Sequence, residues 1–259
     1  MKPTKPLLTI ITVLKDDPEG LLRTMNSLDQ PPSPDIQWLV VDSSSDVQRV
    51  RTILTRSRWE SDFFWTKPEG VFNAMNKGLA KASGDYVWFL NAGDTLHSSE
   101  SLDIVLTLLR NKPFWAFGQV QFVSMEGRVT LPKVFDYERE KRRWFARGRF
   151  PPHQGTIARR QLVCELGGFN ENYRVAADYE LMLKLSKAAD PVVSDAVWAT
   201  FYEGGVSSTN WRRSLREFHH ARRAVLKFSR AASVGESALT LKHYASRSLG
   251  QVKRRAKCL

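Results

Sequence analysis

Three carboxylates stand where side chains can do chemistry. Asp94 ends the stretch Asp85–Asp94 (DYVWFLNAGD), in which large apolar residues give way to a polar turn containing Asn91 and Gly93. Glycine there admits backbone angles closed to other residues. A carboxylate at such a turn can hold Mg²⁺ or Mn²⁺, which prefer oxygen ligands and also take phosphate oxygens from a substrate. The alternative is a helix N-cap, a favoured place for Asp. Asp42 follows the apolar run Ile36–Val41 and precedes three serines. It reads either as a turn residue or as an acceptor for a ribose or base edge, as acidic residues serve in dinucleotide folds. Asp178 opens the helical segment Ala176–Leu185 (AADYELMLKL). As a cap it is structural, with Glu180 a salt-bridged surface residue on another face. As a general base it takes a proton from an acceptor hydroxyl within hydrogen-bond reach. Lys67 and Lys77 could reach phosphate, although solvated lysines look the same in sequence.

The elements that must position these groups follow from hydrophobic pattern and breakers. Leu7–Val13 and Ile36–Val41 are short apolar, β-branched runs and read as buried strands. Between them, Asp16-Asp17-Pro18 starts a helix that carries Leu21, Leu22, Met25 and Leu28, and a proline-rich loop closes it. A helix with Val47, Val50 and Ile53, a strand at Phe63–Trp65, a helix over Val71–Ala82, a strand at Asp85–Leu90 and a helix over Ser99–Leu109 come next. This alternation predicts an α/β fold: a mostly parallel Rossmann-like sheet with helices on both faces. Strands at Phe114–Val123 and Val129–Phe135 flank a turn at Gly127. Glu138–Arg149 is basic, aromatic and irregular; helices over Arg159–Leu166 and Asp178–Ala188 and a strand at Val197–Tyr202 complete the domain. Ligands of such sheets bind beyond the carboxyl ends of the strands, so Asp42 and the turn at Asn91–Asp94 should face one crevice.

Composition narrows the class. The 259 residues are 42% hydrophobic and 25% charged, as in ordinary globular proteins. No apolar run reaches the roughly 18 residues of a membrane-spanning helix. The run Leu7–Leu14 after Lys2 and Lys5 is interrupted by Thr9 and Thr12, so a strand is preferred to a secretion signal. Cys164 and Cys258 form no disulfide framework and fit a reducing, cytoplasmic setting. The net charge of +12 is unevenly placed: from Asn210 onward there are 13 Lys and Arg against two acidic residues, a balance of +11, whereas the preceding residues hold 26 basic and 25 acidic. Residues 210–259 therefore form a separate basic tail after a domain spanning 1–209. Its stripe Leu215, Phe218, Ala221, Val225, Phe228 and Ala232 lies among Arg212, Arg213, Arg216, Arg222, Arg223, Lys227 and Arg230. Leu241, Tyr244, Ala245, Leu249 and Val252 repeat the pattern before Lys253-Arg254-Arg255. Basic amphipathic helices of this kind suit an anionic membrane surface; the alternative is a helix packed on the domain with a solvated basic face. A nucleic-acid tail is disfavoured, because no nucleic-acid motif accompanies the charge.

Taken in order, these segments resemble glycosyltransferase family 2, with its GT-A fold, over about residues 7–209. The resemblance is carried by TIITVLKD at 9–16, VVDSSSD at 40–46, GVFNAMNKGLAKASGDYVWFLNAGD at 70–94, PPHQG at 151–155, GGFNENYRVAADYELMLKL at 167–185 and GGVSST at 204–209. The stretch from Gly70 to Asp94 is similar to the exopolysaccharide and capsule subgroup. The resemblance implies an inverting transfer of sugar from a UDP- or GDP-sugar to a glycan or lipid-linked acceptor, at the inner face of the cell membrane. It implies that Thr12, Val13 and Asp42 serve the nucleotide, and Lys77 and Asn91 are further candidates for the nucleotide site. It gives Asp94 the divalent cation (Mn²⁺ or Mg²⁺), Asp178 the role of base, and His153 and Gln154, with Asp178, a place near the donor and acceptor sugars. Four positions depart from the family pattern. Asn91 and Gly93 stand where many members have aspartates, Ser43 replaces a second acidic residue, and Ala177 replaces the Glu before the base. A non-catalytic homologue is the alternative these departures raise. A nucleotidyltransferase is another, although residues 14–20 (LKDDPEG) lack its phosphate loop.

Overall fold

The computed structural model describes residues 5–28, 31–131, 137, 150–203, 211–227, 235, 236, 238, 240 and 241. In chain order the elements are β1 (Leu8–Leu14), α1 (Pro18–Ser27), β2 (Ile36–Asp42), α2 (Val47–Leu54), β3 (Ser61–Trp65), α3 (Val71–Lys81), β4 (Tyr86–Phe89), β5 (Thr95–Leu96) and α4 (Ser101–Arg110). Then come β6 (Trp115–Val123), β7 (Val129–Thr130), a 3₁₀ turn (His153–Gly155), β8 (Thr156–Arg159), α5 (Arg160–Glu165), α6 (Ala177–Ala188), β9 (Val192–Tyr202) and α7 (Trp211–Leu226). They build one mixed sheet in the order β3-β2-β1-β4-β8-β6-β9-β5, with β7 paired to β6. The first four strands are mutually parallel.

Strand β1 explains the layering. All seven of its residues are buried, because both faces of the sheet are covered. Ile11 and Val13 enter one core with residues of α3, α5, α6 and α7. Leu8, Ile10 and Leu14 enter the other, with residues of α1, α2 and α4. The helix starts use local chemistry. Asp17 caps α1 by accepting from Gly20 N–H at 2.8 Å, with Pro18 in the first turn, and Asp46 caps α2 through Arg49 N–H.

Register brings the strand ends level. Leu14 pairs with Asp42, and Asp42 with Trp65. Beyond β4, Ala92 N–H donates to Val13 O, while Ser43 N–H donates to Leu14 O. The polar segments after β1, β2, β3 and β4 therefore open on one edge, as the sequence predicts.

Several expectations change. Thr156–Arg159 is a strand, and the following helix starts at Arg160. The pattern missed it because Thr156, Ile157 and Ala158 are all buried and show no alternation. Strand β9 begins at Val192, five residues before the expected start. Its first part holds Ser194 and Asp195 and pairs with β6 across register shifts, which hides a period of two. The two-residue β5 is too short to show a pattern. Strand β7 ends at Thr130. The irregular segment 138–149, the motif 204–209 and the second basic stripe from 242 onward lie outside the described residues.

Helix α7 packs on the domain. Ala221 is buried, Phe218, Val225 and Leu226 lie against the α6 core, and the Tyr179 and Phe218 ring centroids are 4.8 Å apart. Arg222, expected on a solvated basic face, is 2% exposed. Its Nε meets Glu236 Oε1 at 2.7 Å and its guanidinium reaches Thr240 Oγ1.

The tightest packing constraint in β6 is Gly118. A Cβ there would stand 2.4 Å from the indole of Trp198, which is fully buried on β9. Gly118→Ala is expected to cost about 1–3 kcal/mol through overpacking. Denaturant unfolding should show a lower midpoint, and an unchanged midpoint would mean that Trp198 has room to move.

Candidate active site

A cleft of about 900 Å³ opens at the carboxyl ends of the parallel strands. Val13 and Leu14 at the end of β1, Lys15 after it, Ser43 after β2, and Asn91 and Ala92 after β4 contribute to its lining, with residues 68–74 along a second side. Glu171, Tyr173 and Arg174, from the segment that leads into α6, complete it.

The turn at 91–94 is built around a residue the sequence reading did not single out. Thr24 on α1 is fully buried, and its hydroxyl accepts from Gly93 N–H at 3.0 Å and donates to the Asp94 carbonyl at 2.7 Å. Gly93 has φ 96°, in the region that favours glycine. A threonine on a helix carries no sequence signal for this contact. Asp94 is not a helix cap: it leads into β5, and Glu100 holds the cap position of α4. Its carboxyl is pushed up to about 6, chiefly because burial strips it of water, against the opposing effects of His153, a Gln154 side-chain bond and an Asn91 backbone bond.

His153 links this turn to α6. Asn91 Nδ2 lies 3.2 Å from His153 Nε2. Donation by the amide leaves the proton on Nδ1, which faces Asp178 Oδ2 at 3.7 Å. Asp178 lies in the first turn of α6 but is not its cap, which is Ala176. Its Oδ1 accepts from Tyr179 N–H at 2.7 Å, leaving Oδ2 toward the imidazole. Asn91, Asp94, His153, Gln154 and Asp178 thus form one connected cluster beside the cleft, although they come from three separate stretches of chain.

The other candidate positions divide. Asp42 is fully buried at the end of β2; Oδ1 accepts from Ser44 N–H, and Oδ2 has no hydrogen-bond partner among the described residues. Asp42 is not among the residues that line the cleft, although its neighbour Ser43 is. Val13 lines the cleft, whereas the Thr12 hydroxyl points into the core and accepts from Trp38 Nε1 at 3.0 Å. Lys77 bonds Thr66 Oγ1 at 2.7 Å and Glu69 at 3.0 Å rather than lining the cleft. Glu180 is not a surface residue: its side chain is 5% exposed, paired with Lys184 at 3.1 Å and bonded by Asn170. Glu171, Tyr173 and Arg174 were missed as cleft residues because they lie in an irregular loop with no periodic pattern.

The donor set at the 91–94 turn fits a divalent cation in one respect. The Asp94 carboxylate and Asn91 Oδ1, which is buried and has no hydrogen-bond partner among the described residues, are both hard oxygen donors. No group of three or more His, Cys, Asp or Glu that could hold an ion occurs among the described residues. Most ligands of such an ion would therefore come from substrate and water.

The polar turns of the parallel strands thus share one cleft, and a cluster of two carboxylates and an imidazole lies beside it. The glycosyltransferase family 2 model matches residues 9–167, and the chain belongs to that family. An uncharacterized glycosyltransferase of Mycobacterium tuberculosis is 31% identical over 211 residues, 78% of each chain. The O-antigen biosynthesis protein RfbC of Myxococcus xanthus is 24% identical over 73% of this chain and 15% of its own. Among solved structures, S. aureus TarS 1-349 in complex with UDP-GlcNAc superimposes with a TM-score of 0.63 at 17% identity, covering 90% of this chain and 70% of that one. The fold is GT-A.

Because Asp94 is held out of water, its ionised form opposes folding above its raised pKa of about 6. The native state binds its proton more tightly than the unfolded chain, so this contribution falls as pH rises from about 4 to 6. Asp94→Asn should therefore stabilise the metal-free protein at pH 7.5, by on the order of 2 kcal/mol, while abolishing any Mn²⁺-induced rise in melting temperature. A destabilised Asp94→Asn protein, or one that still responds to Mn²⁺, would count against this account of the turn.

Proposed function

We propose that this glycosyltransferase moves a sugar from a nucleoside diphosphate sugar to an acceptor hydroxyl by a single displacement that inverts the anomeric carbon. The observation that carries the reading is the chain Asn91–His153–Asp178, which holds a carboxylate next to the polar turn at the cleft. Asp178 acts as base: its Oδ2, which faces His153 Nδ1 at 3.7 Å, takes the acceptor proton as the oxygen attacks. The open Oδ2 of Asp42, buried beside Ser43 and Ser44, accepts from the ribose or base. Asp94 and Asn91 Oδ1 would hold the divalent cation, which neutralises charge developing on the departing diphosphate.

The TarS complex with UDP-GlcNAc supports a UDP-sugar as donor, with a GDP-sugar the alternative. The O-antigen biosynthesis name of the Myxococcus relative supports a place in bacterial cell-surface polysaccharide assembly, and the similarity of residues 70–94 to the exopolysaccharide and capsule subgroup points the same way. The acceptor is then a glycan or lipid-linked sugar presented at the inner leaflet. Arg216 and Arg223 are exposed on α7, and the chain from Asn210 onward carries the +11 balance, which supports attachment to an anionic surface. No helix among the described residues is long and apolar enough to cross a membrane.

Asp178→Asn keeps the shape of the side chain but cannot accept a proton. Calorimetry should show UDP-sugar binding within about threefold of wild type, and transfer should fall at least about a hundredfold, as when other charge-handling catalytic groups are removed. Loss of binding together with transfer would place Asp178 in the donor site instead. Separately, the intact protein should co-sediment with phosphatidylserine-containing vesicles at low salt and dissociate as salt rises, since screening shortens the attraction. Failure to bind at low salt would end the membrane reading without touching the reaction.

A further inference from the structure

Glu217 lies on α7, away from the cleft lining, yet its carboxylate reaches the segment that leads into α6. Oε2 accepts from the backbone N–H groups of Arg174 at 3.1 Å, Val175 at 2.8 Å and Ala176 at 3.1 Å. Oε1 takes Arg213 Nε at 2.7 Å. The side chain is 12% exposed.

An α-helix leaves its first N–H groups without acceptors inside the helix, and a nearby Ser, Thr, Asp or Asn usually supplies one. At α6 the cap position is Ala176, with no side-chain bond, and within the first turn Asp178 Oδ1 accepts from Tyr179 N–H. A carboxylate 41 positions further along the chain accepts from the N–H of Ala176 and of the two residues that lead into it, and negative charge at a helix N-terminus is favourable in itself. Burial works to raise the Glu217 carboxyl, but Arg213 and the amides of Val175, Arg174 and Ala176 outweigh it and hold it below the ordinary glutamate range. Lowering the pH therefore weakens the contact: its stability contribution is present above the ordinary glutamate pKa and is lost as the pH falls through the depressed value.

The clamped segment is the one that matters to the reaction. Tyr173 and Arg174 line the cleft, and Asp178 follows Ala176 by two residues. The contact between Asp178 and His153 is long, at 3.7 Å, so it does little to fix the start of α6 by itself. We propose that Glu217 is a positioning residue for sugar transfer: its carboxylate clamps residues 174–176 and so sets where Asp178 stands against His153. This rests on the reading of Asp178 as the base. Glu217 takes no proton from substrate and does not itself line the cleft.

The test uses the full chain with Glu217→Gln, Glu217→Ala, Asp178→Asn and, as a control at an exposed position of α7, Ala224→Ser. Amide hydrogen exchange reports the clamp directly: exchange at 174–176 should speed up in both Glu217 variants and stay near wild type in Ala224→Ser. In Glu217→Ala, kcat should fall at least tenfold. In Glu217→Gln, which keeps one acceptor oxygen, it should fall less. The Kd for a UDP-sugar should change less than threefold in both, because the sides of the cleft built from residues 13–15 and 68–74 are untouched. Ala224→Ser should keep kcat within twofold. Faster exchange at 174–176 with kcat within twofold of wild type overturns the proposal, as does a parallel loss of donor binding and kcat, which signals general disruption. Should Glu217→Ala fail to fold, Glu217→Gln carries the same criteria. The base reading fails separately if Asp178→Asn still transfers sugar, and Glu217 then positions nothing catalytic. An inactive Asp178→Asn beside an unaffected Glu217→Gln leaves the base in place and removes the clamp.

Discussion

Asp94 is an ionisable carboxylate held almost entirely out of water, and much of the surrounding architecture exists to keep it there. Exposed, it would titrate as an ordinary aspartate; buried, its proton stays on up to a pH of about 6. Holding it needs a turn that cannot relax. Thr24 supplies this from a different element, binding both Gly93 N–H and the Asp94 carbonyl with one hydroxyl. The position of Thr24 depends on α1, which is capped by Asp17 and packed through Leu21 and Met25 against the second core. On the other side, Gln154 bonds the carboxyl, and Trp88 Nε1 donates to the Gln154 carbonyl at 2.7 Å. A desolvated carboxylate of this kind is costly in isolation, and groups perturbed in this way cluster at functional sites.

The two cores divide the work. The face carrying α1, α2 and α4 holds the turn that fixes Asp94, and the face carrying α3, α5, α6 and α7 presents Asp178. The sheet between them sets the separation of the two carboxylates, with His153 at the junction. Ile11 and Val13 on β1 pack toward one face and Ile10 and Leu14 toward the other, so a single strand braces both halves of the site.

The N-terminal half was legible in the sequence because each element there announces itself locally. The runs Leu7–Val13 and Ile36–Val41, the Asp-Asp-Pro helix start and the periodic Val71–Ala82 each match an element to within a residue or two. Asp42, Asn91 and Asp94 were readable because strand ends are where polar residues interrupt apolar runs. The C-terminal half hid more. Strand β8 is buried without alternation, β9 crosses a register shift, and β5 has only two residues. Contacts made by one side chain across the fold left no trace in spacing: the Thr24 hydroxyl, the Glu217 carboxylate and the burial of Arg222 against Glu236 depend on elements brought together only by folding. The inward turn of Thr12 and the pairing of Lys77 with Glu69 likewise follow from neighbours that local pattern does not name.

The strand order has a consequence for biosynthesis. The parallel unit β3-β2-β1-β4 is contiguous in the chain and can assemble as soon as residues 8–89 have left the ribosome. The remaining strands are interleaved: β4 waits for β8, and β5 waits for β9, its partner from the far end of the domain. Pairings of such large sequence separation form slowly. A nascent chain therefore holds the part of the cleft built from β1, β2 and β4 while His153, Asp178 and α7 are still unmade. During that interval the open edge of β4 is an unsatisfied row of backbone donors and acceptors. The two tryptophans Trp88 and Trp198, which meet edge-on at 6.3 Å once β9 arrives, make near-ultraviolet circular dichroism or fluorescence a natural report of when the late strands have docked.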